Sequence, residues 1–268
     1  MNTIRPAAVA GMFYPADPAE LGQEVDTLLD AAAAPAARIP KALIVPHAGY
    51  VYSGPIAASA YARLRHLHGR YARVALFGPA HRVYVRGLAL PEADAFSTPL
   101  GDIAMDPEGV AAAAALPGVV RSAHAHALEH SLEVQLPFLQ RALGSFTLVP
   151  LVVGEAAPGE IARVIETLAA DPATLIVVSS DLSHYHGYAE ARRLDAETAG
   201  LIGELCADLD HEQACGATPI NGALLWARRR GLTAELLDLR NSGDTAGDRG
   251  RVVGYAAFAF YEDGHDEH

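Results

Sequence analysis

Short apolar runs that stop abruptly at proline and histidine constrain this chain more than any other feature. Ala42-Leu43-Ile44-Val45 is followed at once by Pro46-His47, and Val74-Ala75-Leu76-Phe77 by Gly78-Pro79-Ala80-His81. Such runs, bounded by turn formers, suit fully buried strands of the kind found where helices cover both faces of a parallel sheet. Each histidine then stands at the C-terminal end of a strand. Open α/β sheets bind ligands in the crevice outside those ends, so the repeated arrangement predicts one edge on which His47 and His81 converge.

The remaining pattern extends this layout. Phe146 to Val153 and Leu175-Ile176-Val177-Val178 read as further strands around a crossover helix over 161–169, and the latter ends in the polar string Ser179 to His186. Val252 to Tyr261 reads as a final long strand, entered through the loop Ser242 to Asp248. Helix starts follow capping logic: Asp17-Pro18-Ala19-Glu20 precedes Leu21, Val25, Leu28 and Leu29, and Asp106-Pro107-Glu108 precedes an alanine-rich stretch. Gly49 to Pro55 is expected as a loop, 31–40 as a linker, and 128–139 as a helix with His130 and Glu133 on one face. The alternation gives an α/β fold, a central mostly parallel mixed sheet flanked by helices. A single domain is expected over 1–268, with a disordered acidic tail at 262–268.

Composition narrows the function. A net charge of −12 with 20 scattered Lys and Arg leaves no basic stripe for nucleic acid or anionic lipid, so neither is an expected partner. Cys206 and Cys215, the two cysteines, make no disulfide framework and read as reduced thiols in a helical region. With no signal segment and no membrane-spanning run, the expected location is cytoplasmic.

Four strand ends thus carry His47, His81, the Asp181 to His186 loop and the Ser242 to Asp248 loop. Two histidines and a carboxylate on one face of an octahedral ion leave open positions for substrate and dioxygen, the arrangement of non-haem Fe(II) enzymes. On the residues alone the carboxylate stays open among Asp244, Asp248 and Asp181, since glycine-flanked aspartates are as readily turn formers. Imidazole ligands also suit zinc and hydrolysis. A serine hydrolase is disfavoured, because no Gly-x-Ser-x-Gly elbow occurs.

Several ordered strings resemble the Memo family: Pro46-His47-Ala48-Gly49-Tyr50 with Tyr52, Ser53 and Gly54; Gly78-Pro79-Ala80-His81; Glu129-His130-Ser131-Leu132-Glu133; and Ser179-Ser180-Asp181-Leu182-Ser183-His184. Arg5-Pro6-Ala7, Gly11-Met12-Phe13-Tyr14-Pro15 and Tyr255-Ala256-Ala257 extend the resemblance over nearly the whole chain. It implies a fold similar to that of class III extradiol ring-cleaving dioxygenases. It further implies His47 and His81 as metal ligands and His184 as the acid–base group. The third position departs from the family pattern: the animal member has a cysteine, the dioxygenases a glutamate, and this chain Asp244. Fe(II) is the implied ion, with zinc or copper as alternatives. Tyr50 is a candidate hydrogen-bond donor to a bound oxygen, and His130, Glu133, Asp181, Tyr52 and Asp248 are candidates for touching substrate or orienting ligands. The implied activity is a dioxygenase-like oxidoreductase acting on a small catechol-like molecule, and the implied partners are radical-SAM and AMMECR-like proteins. A non-catalytic scaffold that holds a peptide or small anion in the same cleft is the competing expectation.

Overall fold

The computed structural model describes residues 3–32 and 38–262. The centre of the predicted linker (33–37) and the tail beyond Glu262 lie outside these residues. In chain order the strands are β1 (Ile4–Arg5), β2 (Ala42–Val45), β3 (Arg73–Pro79), β4 (Leu88–Leu90), β5 (Ala95–Thr98), β6 (Gly101–Ala104), β7 (Val119–Arg121), β8 (Thr147–Val153), β9 (Thr174–Ser179), β10 (His184–His186), β11 (Leu232–Asn241) and β12 (Val252–Glu262). The α-helices are α1 (Pro18–Ala31), α2 (Tyr50–Tyr61), α3 (Pro107–Ala114), α4 (Ala123–Ala127), α5 (Leu136–Leu143), α6 (Pro158–Leu168), α7 (Tyr188–Gly203) and α8 (Ala217–Arg230).

A nine-stranded sheet runs in the order β10-β12-β2-β9-β3-β8-β4-β7, with β11 also pairing β12. The four central strands, β2, β9, β3 and β8, are parallel to one another, with Leu43 opposite Val177 and Ala75 opposite both Ile176 and Val149. The pairings of β12 with β2, β10 and β11 and of β4 with β8 are antiparallel, and the edge pair β4–β7 is parallel. The fold is the α/β class with a mixed sheet that the apolar runs predict. A small second sheet pairs β1 parallel to β5 and β5 antiparallel to β6.

Side chains alternate along each central strand between two cores. Leu43, Val45, Val74 and Leu76 pack on one face with residues of α1, α2 and α5; Ile44, Ala75 and Phe77 pack on the other with residues of α6, α7 and α8. Burying one such branched side chain stabilises by about 1.5–3 kcal/mol, and this two-sided burial selects continuous apolar runs over alternation. The predicted caps are in place. Asp17 accepts from the amides of Ala19 (2.9 Å) and Glu20 (3.0 Å), and Asp106 from that of Gly109 (2.6 Å).

Three local expectations change. The helix α2 begins at Tyr50, directly after Gly49, where a loop was expected. Residues 204–216, including both cysteines, form an irregular connection between α7 and α8 instead of a helix. The predicted helix over 128–139 is broken: α4 ends at Ala127, and helical structure resumes only at Glu133. The reason is side-chain competition for the backbone. The Ser131 amide donates to Glu129 (2.9 Å), and the Ser131 carbonyl accepts from the Ser179 hydroxyl (2.6 Å). His130 and Glu133 therefore do not share a helical face.

Candidate metal centre

The C-terminal ends of β2, β9 and β3 lie side by side, with β9 between the other two, and each continues into a short polar turn. His47 follows β2 by two residues; its amide donates to Asp181 Oδ1 (2.7 Å), which locks the β2 turn to the β9 turn. His81 follows β3 by two residues and its amide donates to Glu129 Oε2 (2.7 Å). His130 arrives from the irregular segment before α5. That approach requires Gly78 in β3, since a Cβ there would stand 2.7 Å from Ser131 Oγ and 2.9 Å from Leu132 Cδ2.

His47, His81 and His130 each offer a nitrogen, and the three nitrogens lie within 4.8 Å of one another. Their rings are separated by 5.1 Å (His47–His81), 5.4 Å (His47–His130) and 4.8 Å (His81–His130). Hydrogen bonding fixes two tautomers. Ser179 Oγ gives its one proton to the Ser131 carbonyl and accepts from Gln135 Nε2 (2.8 Å), so its 2.9 Å contact with His47 Nδ1 must be donated by the ring. His81 Nδ1 lies 2.9 Å from Glu129 Oε1, a carboxylate that only accepts. Both rings thus carry their proton on Nδ1 and leave the Nε2 lone pair free, the arrangement of metal-binding histidines whose second nitrogen is held by an oxygen. His130 Nδ1 is buried without a hydrogen-bond partner, 3.5 Å from Glu129 Oε1. The donor set fits a divalent ion that accepts imidazole nitrogen.

Burial disfavours the charged form of His47 and His130. Burial, then the neighbouring His81, His130 and His184, holds His47 well below its ordinary range; burial likewise brings His130 down to about 4. Burial alone would raise Glu129, but the hydrogen bond from His81, with the amides of Ser131 and His81, holds it down at about 2. Desolvation pushes Asp181 up to about 7 despite the His47 and Ala48 amides, and pushes the Cys215 thiol up to about 12.

The cluster opens into a cavity of about 1280 Å³ whose lining includes Phe13, Tyr52, Arg82, Asp181, His184, Cys215, Asp248 and Arg251. His184 Nδ1 donates to the Leu182 carbonyl (2.8 Å), leaving Nε2 as a lone pair, and burial lowers its pKa. Other expected site residues are placed elsewhere. Asp244 is exposed, accepts from the Tyr188 hydroxyl and the Asn241 amide (3.0 Å), and does not line the cavity; His130 stands with the two histidines instead. Tyr50 is buried with its hydroxyl donated to the Val134 carbonyl (2.8 Å), so it has no proton left for a bound oxygen. Glu133 faces away, into the N-terminal segment. Asp181 Oδ2 comes to 4.0 Å from His47 Nε2, and Asp248 reaches the cavity wall while accepting from the Gly250 amide (2.7 Å). Glu129, Ser179 and Cys215 join the cluster without being expected there; Glu129, next to His130, and Ser179, at the end of β9, had a local signal, and Cys215 had none.

Comparison with known proteins gives the family and the fold. The family model described as "Memo-like protein" matches residues 5–259. The chain belongs to the Memo family. A "MEMO1 family protein" of Aquifex aeolicus is 36% identical over 96% of this chain and 99% of its own length. Members from Ignicoccus hospitalis (96% and 98% covered) and Archaeoglobus fulgidus (96% and 99%) are each 35% identical. Among solved structures, an uncharacterized protein from Escherichia coli K12 aligns with a TM-score of 0.56 at 16% identity, covering 82% of this chain and 99% of that one, a likeness of fold alone. In this Memo-family chain no helix among the described residues is long and apolar enough to cross a membrane.

Proposed function

We propose that this chain is a metal-dependent oxidoreductase of the dioxygenase type, with Fe(II) held by His47, His81 and His130. The observation that carries the reading is the convergence of three imidazole nitrogens, two of them turned by oxygen acceptors to present Nε2, in the lining of a large cavity. When bound, the ion would supply Lewis acidity and one-electron chemistry toward dioxygen. The residues around it do the rest. Glu129 and Ser179 hold the ring planes, and the cavity accepts a small molecule with vicinal oxygens, catechol-like in chemistry. His184, neutral and with a free lone pair, takes the substrate proton, a role typically worth 10²- to 10⁴-fold. Tyr52, Arg82 and Asp248 flank the substrate. Radical-SAM and AMMECR-like proteins are the proposed functional partners.

One observation favours a second reading. Three histidines with no carboxylate among them are also the donor set of catalytic zinc, which would serve hydrolysis. Anaerobic purification, addition of Fe(II) or Zn(II), and an oxygen-electrode screen of catechols with wild type and His184→Gln separate the readings. Iron-dependent oxygen uptake, lowered at least about 10²-fold in His184→Gln, is expected. Ester hydrolysis with zinc and no oxygen uptake would replace the proposal, and metal uptake with no turnover of either kind would favour a binding or scaffold role.

A further inference from the structure

Tyr185 stands in the wall of the same cavity, one residue beyond His184. Its φ of +65° lies in the left-handed region, where a bulky side chain is strained and glycine is not. The strain has a local cause. Pairing of β10 with β12 steps from His184 opposite Val253 to His186 opposite Val252, so Tyr185 is an extra, unpaired residue, a β-bulge. The chain around it is pinned. The Leu182 amide donates to the Gly254 carbonyl (2.8 Å), the Gly254 amide to the Ser183 carbonyl (2.8 Å), and the Ser183 amide to the buried carboxylate of Asp195 (3.0 Å). Beyond the bulge, the Tyr188 amide donates to the Arg249 carbonyl (3.2 Å). In a regular strand, neighbouring side chains point to opposite faces. Across the bulge His184, Tyr185 and His186 all line one cavity.

We infer that Tyr185 is a substrate-contact residue that seats a planar aromatic ring beside His184, an inference that rests on the metal-dependent function proposed above. The first argument is that packing does not account for this side chain. Tyr185 is 63% exposed and belongs to neither core, yet the fold holds its backbone in a costly conformation. Strain that the surroundings impose on an exposed residue concentrates at functional sites. The second argument is placement. The Tyr185 ring lies 5.7 Å from that of His184, so a ring stacked against Tyr185 comes within reach of the group assigned to take the substrate proton. Arg251, also in the cavity wall, sets its guanidinium 5.0 Å from the Tyr185 ring centroid and steadies the aromatic plane. The bulge thus selects substrates whose vicinal oxygens are carried on an aromatic ring over aliphatic molecules with the same pair of oxygens.

Anaerobic calorimetric titration of the Fe(II)-loaded protein with two chelating probes tests the assignment: 4-nitrocatechol carries a ring, and acetohydroxamate offers two adjacent oxygens without one. Wild type is expected to bind both. Tyr185→Ala should bind 4-nitrocatechol about 10-fold more weakly and acetohydroxamate as wild type does, whereas Tyr185→Phe should hold both within about twofold. Tyr185→Gly should lose 4-nitrocatechol affinity as the alanine variant does, yet unfold about 2–4 °C above it, because glycine accepts the left-handed backbone. The glycine variant also carries the comparison should Tyr185→Ala fail to fold. Undiminished 4-nitrocatechol affinity without the ring, or an equal loss for both probes, overturns the contact and leaves the metal reading standing. Wild type that binds acetohydroxamate but not 4-nitrocatechol overturns the contact and the catechol-like substrate, and wild type that binds neither probe overturns the contact and the metal reading together.

Discussion

Glu129 and Glu133 are buried carboxylates four residues apart, one in the irregular segment after α4 and one where helical structure resumes, yet they close two different kinds of site. Glu133 is saturated by the N-terminal segment. Oε1 accepts from the Val9 amide (2.9 Å) and the Tyr14 hydroxyl (2.6 Å), and Oε2 from the Ala8 amide (2.8 Å) and the Arg5 guanidinium. Arg5 in turn donates to the carbonyls of His126 (3.0 Å) and Glu129 (2.7 Å). Nothing in this knot faces the cavity. Glu129 instead orients His81, and the groups beyond it remain incomplete: an Nε2 of His81 without a partner, an Nε2 of His47 met only by the Cys215 thiol (3.4 Å), and an unpartnered His130 nitrogen. A fully paired buried charge holds parts of a fold together, whereas a cluster with unused donor atoms aimed at a cavity is a site.

The contrast predicts that Glu133→Ala has the largest effect on folding. Leaving Arg5 buried without its partner should destabilise by about 3–5 kcal/mol in denaturant or thermal unfolding. Metal bound per folded molecule should stay at the wild-type value; a matching loss of metal would merge the two regions.

The closed side also sets a pH response through His126. Burial, offset in part by its bond to the Ala89 carbonyl (2.8 Å), brings this imidazole down to about 4. Between pH 6.5 and 4 the unfolded chain binds a proton that the folded chain refuses. Its contribution is thus full above pH 6.5 and is lost as pH falls through that window, on the order of 3 kcal/mol. His126→Gln should flatten the stability-versus-pH curve between those limits relative to wild type, and an unchanged slope would remove His126 from the account.

On the open side, Glu129→Gln keeps the shape but removes the charge that orients His81. Metal affinity should fall roughly 10- to 100-fold, with a smaller shift in unfolding than Glu133→Ala gives. The reverse ranking would mean that Glu129 is the structural residue of the pair.

How these roles could be read beforehand differed by residue. The strands were legible because two-sided burial writes itself as continuous apolar runs, and the ends of β2 and β3 announced His47 and His81. Periodicity misled at 128–139, where Leu128, Leu132, Leu136 and Leu139 hold helical spacing although Glu129 and Ser179 take the backbone groups a helix would need. The error paired His130 with Glu133 and hid Glu129. Cys215 lay out of reach for another reason: its place beside His47 is made by a contact across 168 residues. Asp244 resembled a ligand by position along the chain, but the capping of its own loop explains it. Asp244→Asn should accordingly have the smallest effect, about 1 kcal/mol or less on unfolding, with no change in metal content.

The most direct test is metal content after anaerobic Fe(II) loading and desalting, compared among wild type, His47→Ala and Asp244→Asn. Iron retained by wild type and Asp244→Asn but lost from His47→Ala is the predicted result. Wild-type iron in His47→Ala, or its loss from Asp244→Asn, would contradict a centre built on the histidine cluster.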